Sequence, residues 1–251
     1  MSRSLAYYTK LFLVFLALSL VGWGVIEAPG LHVVSINISG TNTLTRREVL
    51  QQLGEVEGWH FTRLWVQNPA LRLVLHPKIK EASLSLEFPS TLNIAIQERT
   101  PLALIPYYNA FLCIDVEGKV IDLVATPRWS EGPLPLLTGL VLPLVTVGEF
   151  LPMNPCLVAG IRVLSQLGAE HRIQFAEVDI TSPFRVILRS SDNIIIDVGE
   201  GYDLYLKSNY LLEVLAYVRS ANLTGGKILV GQDTITYQGA LPTSDLPSEP
   251  E

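Results

Sequence analysis

The sequence is poor in the residue types on which most enzymatic and metal sites depend. Its 251 residues include two cysteines, two methionines and four scattered histidines, none of them at HxH or HExxH spacing. The GxSxG, P-loop and dinucleotide-binding patterns are missing as well. We therefore predict a protein that is not an enzyme and that has no cofactor, no metal and no small-molecule substrate. An acid pair assembled in space, as in an anchored cell-wall hydrolase, stays open as the enzymatic alternative.

Basic residues are fewer than acidic ones, and cysteines are few. After residue 26 the chain carries 24 acidic and 16 basic residues, a net charge of −8. Because nucleic acids and anionic lipid headgroups both attract clustered Lys and Arg, we expect neither as a partner. Cys113 and Cys156 are too few for a disulfide scaffold. We interpret them as two buried thiols, with a disulfide between them as the alternative in an oxidising compartment.

The strongest positive feature is one apolar run over residues 11–26, LFLVFLALSLVGWGVI, which contains no charged side chain. About 20 apolar residues span a bilayer as a helix, and we predict a single transmembrane helix over residues 11–28. Its anchor positions are Leu11, Phe15, Leu18, Trp23 and Ile26. Arg3 and Lys10 precede the run, which predicts a cytoplasmic stub over residues 1–10 and an extracytoplasmic body. A cleaved signal peptide is the alternative, although Ile26 stands where a cleavage site needs a small residue.

The segment that follows predicts the order β-α-α-β-β. Thr45 and Glu48 form a capping box at a helix start, and Asn68-Pro69 opens a second helix that ends before Pro77. Alternating apolar residues and turn signals predict three strands, over residues 31–39, 79–88 and 91–98. Glu98 and Arg99 are expected to end the last strand as a surface ion pair.

Beyond Pro101 the pattern predicts a mixed β-sheet with flanking helices. Gly118 turns a hairpin in which Asp115 and Glu117 are expected to be solvated. One helix begins at Asn154-Pro155 and another near Asp203. The predicted strands are 112–115, 119–124, 173–180, 184–189, 193–198 and 227–238. The whole chain is thus of the α+β class.

Several motifs in this order resemble the FtsQ/DivIB family of bacterial division proteins. The family's POTRA domain (polypeptide-transport-associated domain) is matched by GTN at 40–42, PKIKEA at 77–82, FPSTLNI at 88–94 and ERTP at 98–101. Its β domain is matched by IDVEG at 114–118, LPLLTG at 134–139, and Gly199 followed by Lys207. The chain departs from the family at His60, where Asn is frequent, and at residues 228–231, where IDLR is frequent.

The resemblance implies a bitopic membrane scaffold of the divisome, enriched at the division septum. Its POTRA domain would span residues 31–99 and its β domain residues 101–239. Residues 240–251 are acidic and Pro-rich, so we predict a disordered tail there. The implied partners are FtsB/DivIC-like and FtsL-like division proteins. Another membrane-anchored POTRA module, in envelope assembly or transport, is the alternative function.

In the family, the last strand of the β domain pairs with a short strand of FtsB/DivIC by β-augmentation. Carried over by position, the binding strand is Thr234, Ile235, Thr236, Tyr237 and Gln238. Thr, Ile and Tyr favour a strand, and Tyr237 offers a rigid amphipathic anchor for a partner. The alternative is that this strand is an ordinary edge of the domain's own sheet.

Overall fold

The fold is described here from a computed structural model. The structure describes residues 2–26, 31–127, 132–202, 204–221, 223, 225–231 and 234–239; within them, the side chains of 2–6, 9, 21–26 and 170 are left out. The predicted disordered tail, 240–251, and the last two residues of the predicted transmembrane helix lie outside these ranges. The chain divides into two compact units, Met1–Glu98 and Arg99–Glu251.

In its described residues, the first unit contains four helices and three strands. In chain order they are α1 (Ser2–Ile26), β1 (Ser35–Ser39), α2 (Arg46–Leu53), α3 (Phe61–Gln67), α4 (Ala70–Val74), β2 (Ile79–Glu87) and β3 (Thr91–Glu98). The capping box is confirmed, because the Thr45 hydroxyl accepts from the Glu48 amide and the Glu48 carboxylate accepts from the Thr45 amide. The prediction of two helices after β1 is wrong by one, since α3 precedes the helix expected at Asn68.

The extra helix explains the departure at His60. The side chain of His60 is the N-cap of α3, and its Nδ1 accepts from the amide of Thr62 at 3.3 Å. Asn is a strong N-cap because its side-chain oxygen accepts from the same exposed amides. His60 therefore caps α3 with a side-chain acceptor, a role for which Asn is also suited.

The three strands form one sheet in the order β1-β3-β2. β1 runs parallel to β3, with Ile36 opposite Leu92, and β2 runs antiparallel to β3. Helices α2, α3 and α4 pack with the sheet around one core. The helices contribute Leu53, Leu64 and Leu73 to it, and the strands contribute Ile79, Leu92 and Ile94.

Helix α1 contains the predicted anchor residues. Leu11, Phe15 and Leu18 are exposed on it, at 57, 69 and 66% of their full area, and Trp23 and Ile26 belong to the same helix. Within the described part of the chain, none of the helices combines the length and the apolarity that crossing a membrane requires.

The described part of the second unit contains nine strands and three helices. In chain order they are β4 (Pro101–Tyr107), β5 (Ala110–Asp115), β6 (Val120–Val124), β7 (Leu136–Thr138), α5 (Pro155–Gln166), α6 (Ala169–Arg172), β8 (Phe175–Ser182), β9 (Arg185–Ser190), β10 (Ile195–Gly199), α7 (Leu204–Ser220), β11 (Lys227–Val230) and β12 (Ile235–Gln238). The strands make one sheet in the order β12-β11-β10-β9-β8-β7-β4-β5-β6.

Helices α5 and α7 bury apolar stripes against this sheet. In α7 the stripe is Leu204, Leu211, Leu215 and Val218, and all four belong to the main core cluster. Successive spacings of seven, four and three residues place these side chains on one helical face. The α+β prediction is confirmed for the described residues.

The sequence prediction for this unit omitted β4, β7 and α6 and treated one hairpin as a single strand. Pro101–Tyr107 forms a strand, β4, that was not predicted, and Leu102, Leu104 and Ile105 are buried there. The predicted single strand 227–238 is a hairpin of β11 and β12. Gly231 breaks the strand, since its amide donates to the Thr234 carbonyl across the turn at 2.8 Å.

Candidate protein-binding edge of the sheet

β12, which contains four of the five predicted partner-binding residues, is the outermost strand at one edge of the nine-stranded sheet. It pairs antiparallel with β11, with Leu229 opposite Thr236 and Ile228 opposite Tyr237. Among the described residues, no strand pairs with its other side. An unpaired edge presents a row of backbone donors and acceptors that another chain can pair with.

The hydrogen-bond alternation of the hairpin tells which backbone groups face this open edge. Opposed residues in an antiparallel pair alternate between hydrogen-bonded and non-hydrogen-bonded pairs. The bond from the Gly231 amide to the Thr234 carbonyl marks that pair as hydrogen-bonded, so the same holds two residues on, at Leu229 and Thr236. The N–H and C=O groups of Ile235 and Tyr237 therefore point away from β11.

The side chains of β12 alternate between the two faces of the sheet. Ile235 and Tyr237 are half-buried and pack against the main core, whereas Thr234, Thr236 and Gln238 are exposed. The Tyr237 hydroxyl donates to the Gly225 carbonyl at 3.0 Å. The structure thus engages the side chain of Tyr237, predicted as the anchor for a partner, within its own domain.

A cluster of charges ties the strands next to this edge together. The Asp197 carboxylate on β10 accepts from Arg185 on β9 at 2.8 Å and lies 3.1 Å from the Lys227 ammonium on β11. Burial raises the pKa of Asp197, but its bonds to Arg185, Lys227 and the Gly199 amide outweigh burial and hold the pKa below the usual value. The alternating strand pattern gave no signal for this cluster.

At the start of the second unit, Arg99 makes an ion-pair cluster with one buried and one exposed carboxylate. Its guanidinium pairs with the carboxylate of Asp115 and, at 2.7 Å, with that of Glu117. Asp115 also accepts from the amides of Glu117 and Lys119, both at 2.9 Å. The predicted surface pair of Glu98 with Arg99 is wrong, as is the solvated Asp115, because both Arg99 and Asp115 are turned into their own unit.

Glu98 is instead bound within the first unit. Its carboxylate accepts from the backbone amides of Asn42, Thr43 and Leu44 at 2.8–3.2 Å, and also from the Thr43 hydroxyl. Burial raises the pKa of Glu98, but these hydrogen bonds outweigh burial and lower the pKa below its ordinary value. Two motifs that are far apart in sequence, GTN and ERTP, thereby meet through one carboxylate.

The described residues contain no group of three or more His, Cys, Asp or Glu side chains placed to hold a metal ion. Cys113 is buried and Cys156 is half-buried, and both are thiols. The Cys156 thiol approaches the Thr181 carbonyl at 3.7 Å.

Comparison with known proteins gives independent evidence on which proteins this chain is similar to. The family model "POTRA domain, FtsQ-type" matches residues 31–99. The cell division protein FtsQ of Mycobacteroides abscessus is 28% identical over 186 residues, which cover 73% of this chain and 56% of that protein. FtsQ of an Anaeromyxobacter species is 28% identical over 198 residues, covering 78% of this chain and 65% of that protein.

A third relative is named DivIB and not FtsQ. The cell division protein DivIB of Geobacillus kaustophilus is 25% identical over 138 residues, covering 55% of this chain and 51% of that protein. The aligned chain spans between half and two thirds of the length of these three relatives. The similarity extends well beyond residues 31–99, because alignments of 186 and 198 residues do not fit within that segment.

Proposed function

Because the chain belongs to the FtsQ/DivIB family of cell-division proteins, we propose that it is a scaffold that recruits partner proteins to the division machinery. The observation that carries the proposal is the open edge of β12. A strand that adds there gains main-chain hydrogen bonds to Ile235 and Tyr237 and extends the sheet. An FtsB/DivIC-like chain supplies that strand, and an FtsL-like protein belongs to the same complex.

The alternation of β12 defines the chemistry of the incoming strand. Side chains opposite Ile235 and Tyr237 would lie on the face that packs against the core, and those opposite Thr236 would lie on the exposed face. The partner strand should therefore alternate between apolar and polar residues. Its main-chain bonds would supply affinity, and the apolar positions would supply specificity.

Asp115 and Asp197 have structural roles, and this supports a function without catalysis. Asp115 is neutralised by Arg99, and Asp197 by Arg185 and Lys227. Both carboxylates are thereby held in place within their strands, and the bonds to Asp197 keep its pKa below the usual value, which does not suit a general acid. The chain acts by binding.

The apolar run over residues 11–26 attaches the scaffold to the cell membrane. It lies in one continuous helix, and its described side chains from Leu11 to Leu20 are exposed rather than packed into a core. Arg3 and Lys10 precede it, so the N-terminus would be cytoplasmic and the two units extracytoplasmic. Confinement to the membrane would raise the effective concentration of the scaffold around membrane-bound partners.

A proline exchange tests the binding edge with little disturbance of the hairpin. Ile235→Pro removes an amide that faces the open edge, and proline is tolerated on edge strands where its nitrogen faces outward. Ile235→Ala is the matched control, since it removes the side chain but keeps the amide. We expect the proline variant to bind the FtsB/DivIC-like protein of the same organism at least about tenfold more weakly than the alanine variant. A tenfold difference corresponds to about 1.4 kcal/mol of binding free energy.

Equal affinities of the two variants, measured by titration, would contradict an edge-strand interface. The wider function is tested by depletion of the chain and by a fluorescent fusion. Filamentous cells and a septal signal are the expected results. Normal division after depletion, with a diffuse envelope signal, would count against the scaffold role.

A further inference from the structure

Lys207 makes a long-range contact with the turn that leads into β12. It is the fourth residue of α7, and its ammonium donates to the Gly231 carbonyl at 2.7 Å. Gly231 directly follows β11 and bonds across the turn to Thr234. The lysine therefore ties the helix to the turn of the β11–β12 hairpin.

The topology explains why this lysine reaches that turn. β10 and β11 are parallel neighbours joined through α7. A helix that connects two parallel strands runs back along the sheet, so its first turn lies near the ends at which both strands finish. Those ends are Gly199 in β10 and Val230 in β11, next to Gly231.

The position of Lys207 in its helix is otherwise unfavourable for a cation. The N-terminal end of a helix dipole carries partial positive charge and favours acidic side chains, yet the first turn of α7 contains none. Lys207 is half-buried in this turn. A specific acceptor, the Gly231 carbonyl, gives its charge a favourable partner.

The other end of β12 is held by Tyr237. Its hydroxyl donates to the Gly225 carbonyl, just before β11. Gly226 has a φ of +96°, and a Cβ there would lie 2.7 Å from the Tyr237 hydroxyl oxygen, so the glycine permits this close approach. β12 is thus fixed near both ends, by Lys207 through the turn and by Tyr237.

We propose that Lys207 is a positioning residue that holds β12 in the conformation in which a partner strand adds to it. The inference rests on the proposed function of that edge. Ordering a loose strand opposes association, and a strand that is already ordered binds more tightly without any new contact to the partner. Lys207 itself need not touch the partner.

The test compares Lys207→Met with two other variants of the full-length chain. Lys207→Met keeps the aliphatic stem and removes the ammonium, whereas Lys207→Arg restores a donor. Arg219→Met is the matched control: it removes an ion pair with Asp192 and a bond to Gln174 elsewhere on the same helix. Amide hydrogen exchange of Ile235–Gln238 and affinity for the FtsB/DivIC-like protein are measured for each.

In Lys207→Met we expect exchange in β12 to rise about tenfold and affinity to fall about five- to tenfold, in line with a hydrogen bond to a charged group. Exchange in β8 and β9 should stay unchanged, and Lys207→Arg should recover most of both effects. If the Lys207→Met variant has the same amide exchange and the same partner affinity as the wild type, the inference is overturned. The same loosening of β12 in Arg219→Met would also overturn it.

The two proposals fail differently. Faster exchange in Lys207→Met, together with no partner binding by the wild-type chain, would leave Lys207 as the residue that holds the strand and would refute the binding edge. Partner binding by the wild-type chain, with full binding by Lys207→Met, would leave the edge and refute the role of the lysine.

Discussion

The guanidinium of Arg99 and the carboxylate of Asp115 form an ion pair that is almost fully shielded from water, with 7% and 3% of the two side chains exposed. Breaking such a pair leaves a buried charge without its counter-ion, which costs far more than losing an exposed pair. Arg99 opens the second unit, so this pair anchors the beginning of that unit to the β5 hairpin.

Arg99→Met should lower the free energy of unfolding of the second unit by about 3 kcal/mol, the cost of an uncompensated buried carboxylate. Arg189→Met is the control, because Arg189 and Glu177 are 46% and 33% exposed and should contribute under about 1 kcal/mol. Urea denaturation compares the two. Similar losses in both variants would show that the Arg99 cluster is no more important than a surface pair.

Glu98 should make the stability of the first unit depend on acid pH. Its folded-state pKa lies below the ordinary value of 4.5, so its contribution is present above about pH 4.5 and is lost as the pH falls through the folded-state pKa. Glu98→Gln should cost about 2 kcal/mol at pH 7 and should remove part of the decline in acid.

The control for this prediction is Glu81→Gln, an exchange at an exposed position of β2 that should change stability by less than about 0.5 kcal/mol. Stability is measured by denaturation between pH 7 and pH 3. The same acid decline in the wild type and in Glu98→Gln would mean that other groups are responsible for it.

Gly40, in the turn after β1, is expected to tolerate no side chain. Its φ is +81°, and an added Cβ would lie 2.1 Å from the Ile96 carbonyl oxygen. Gly58 has a similar φ of +76° but nothing within 4 Å of an added Cβ, so it isolates the conformational cost. Gly40→Ala should lose about 3 kcal/mol or more and Gly58→Ala only about 1 kcal/mol.

Thermal denaturation of both glycine variants checks this difference. An equal loss would show that the backbone conformation, and not the clash with Ile96, limits both positions.

Leu18→Arg tests the proposed membrane anchor. A charge near the middle of a membrane-spanning helix costs about 2.5–3.5 kcal/mol, so a larger share of the chain should leave the membrane fraction than in the wild type. Tyr8→Arg, before the apolar run, should have little effect. Recovery of the wild-type chain from the soluble fraction after cell lysis would contradict the anchor.

Local chemistry explains why parts of this fold were predictable. The capping box at Thr45 and the Asn154 cap with Pro155 are bonds between near neighbours, so a short sequence pattern predicts them. The split of the last strand at Gly231 was missed, because Val230, Ile235 and Tyr237 suit one long strand as well as a hairpin. α3 was missed because its cap is His60, an uncommon capping residue.

By itself the sequence determined the α+β class, most helices and strands, and the motifs that resemble those of the FtsQ/DivIB family. Periodicity and capping involve residues that are close together in the sequence, so they can be recognised without the tertiary structure. Only the tertiary structure decided that Arg99 lies against Asp115, that Glu98 binds residues 42–44, and that β12 is the edge of the sheet with Lys207 at its turn. Each of those contacts joins residues 16 or more positions apart, and the packing of strands around a common core brings them together.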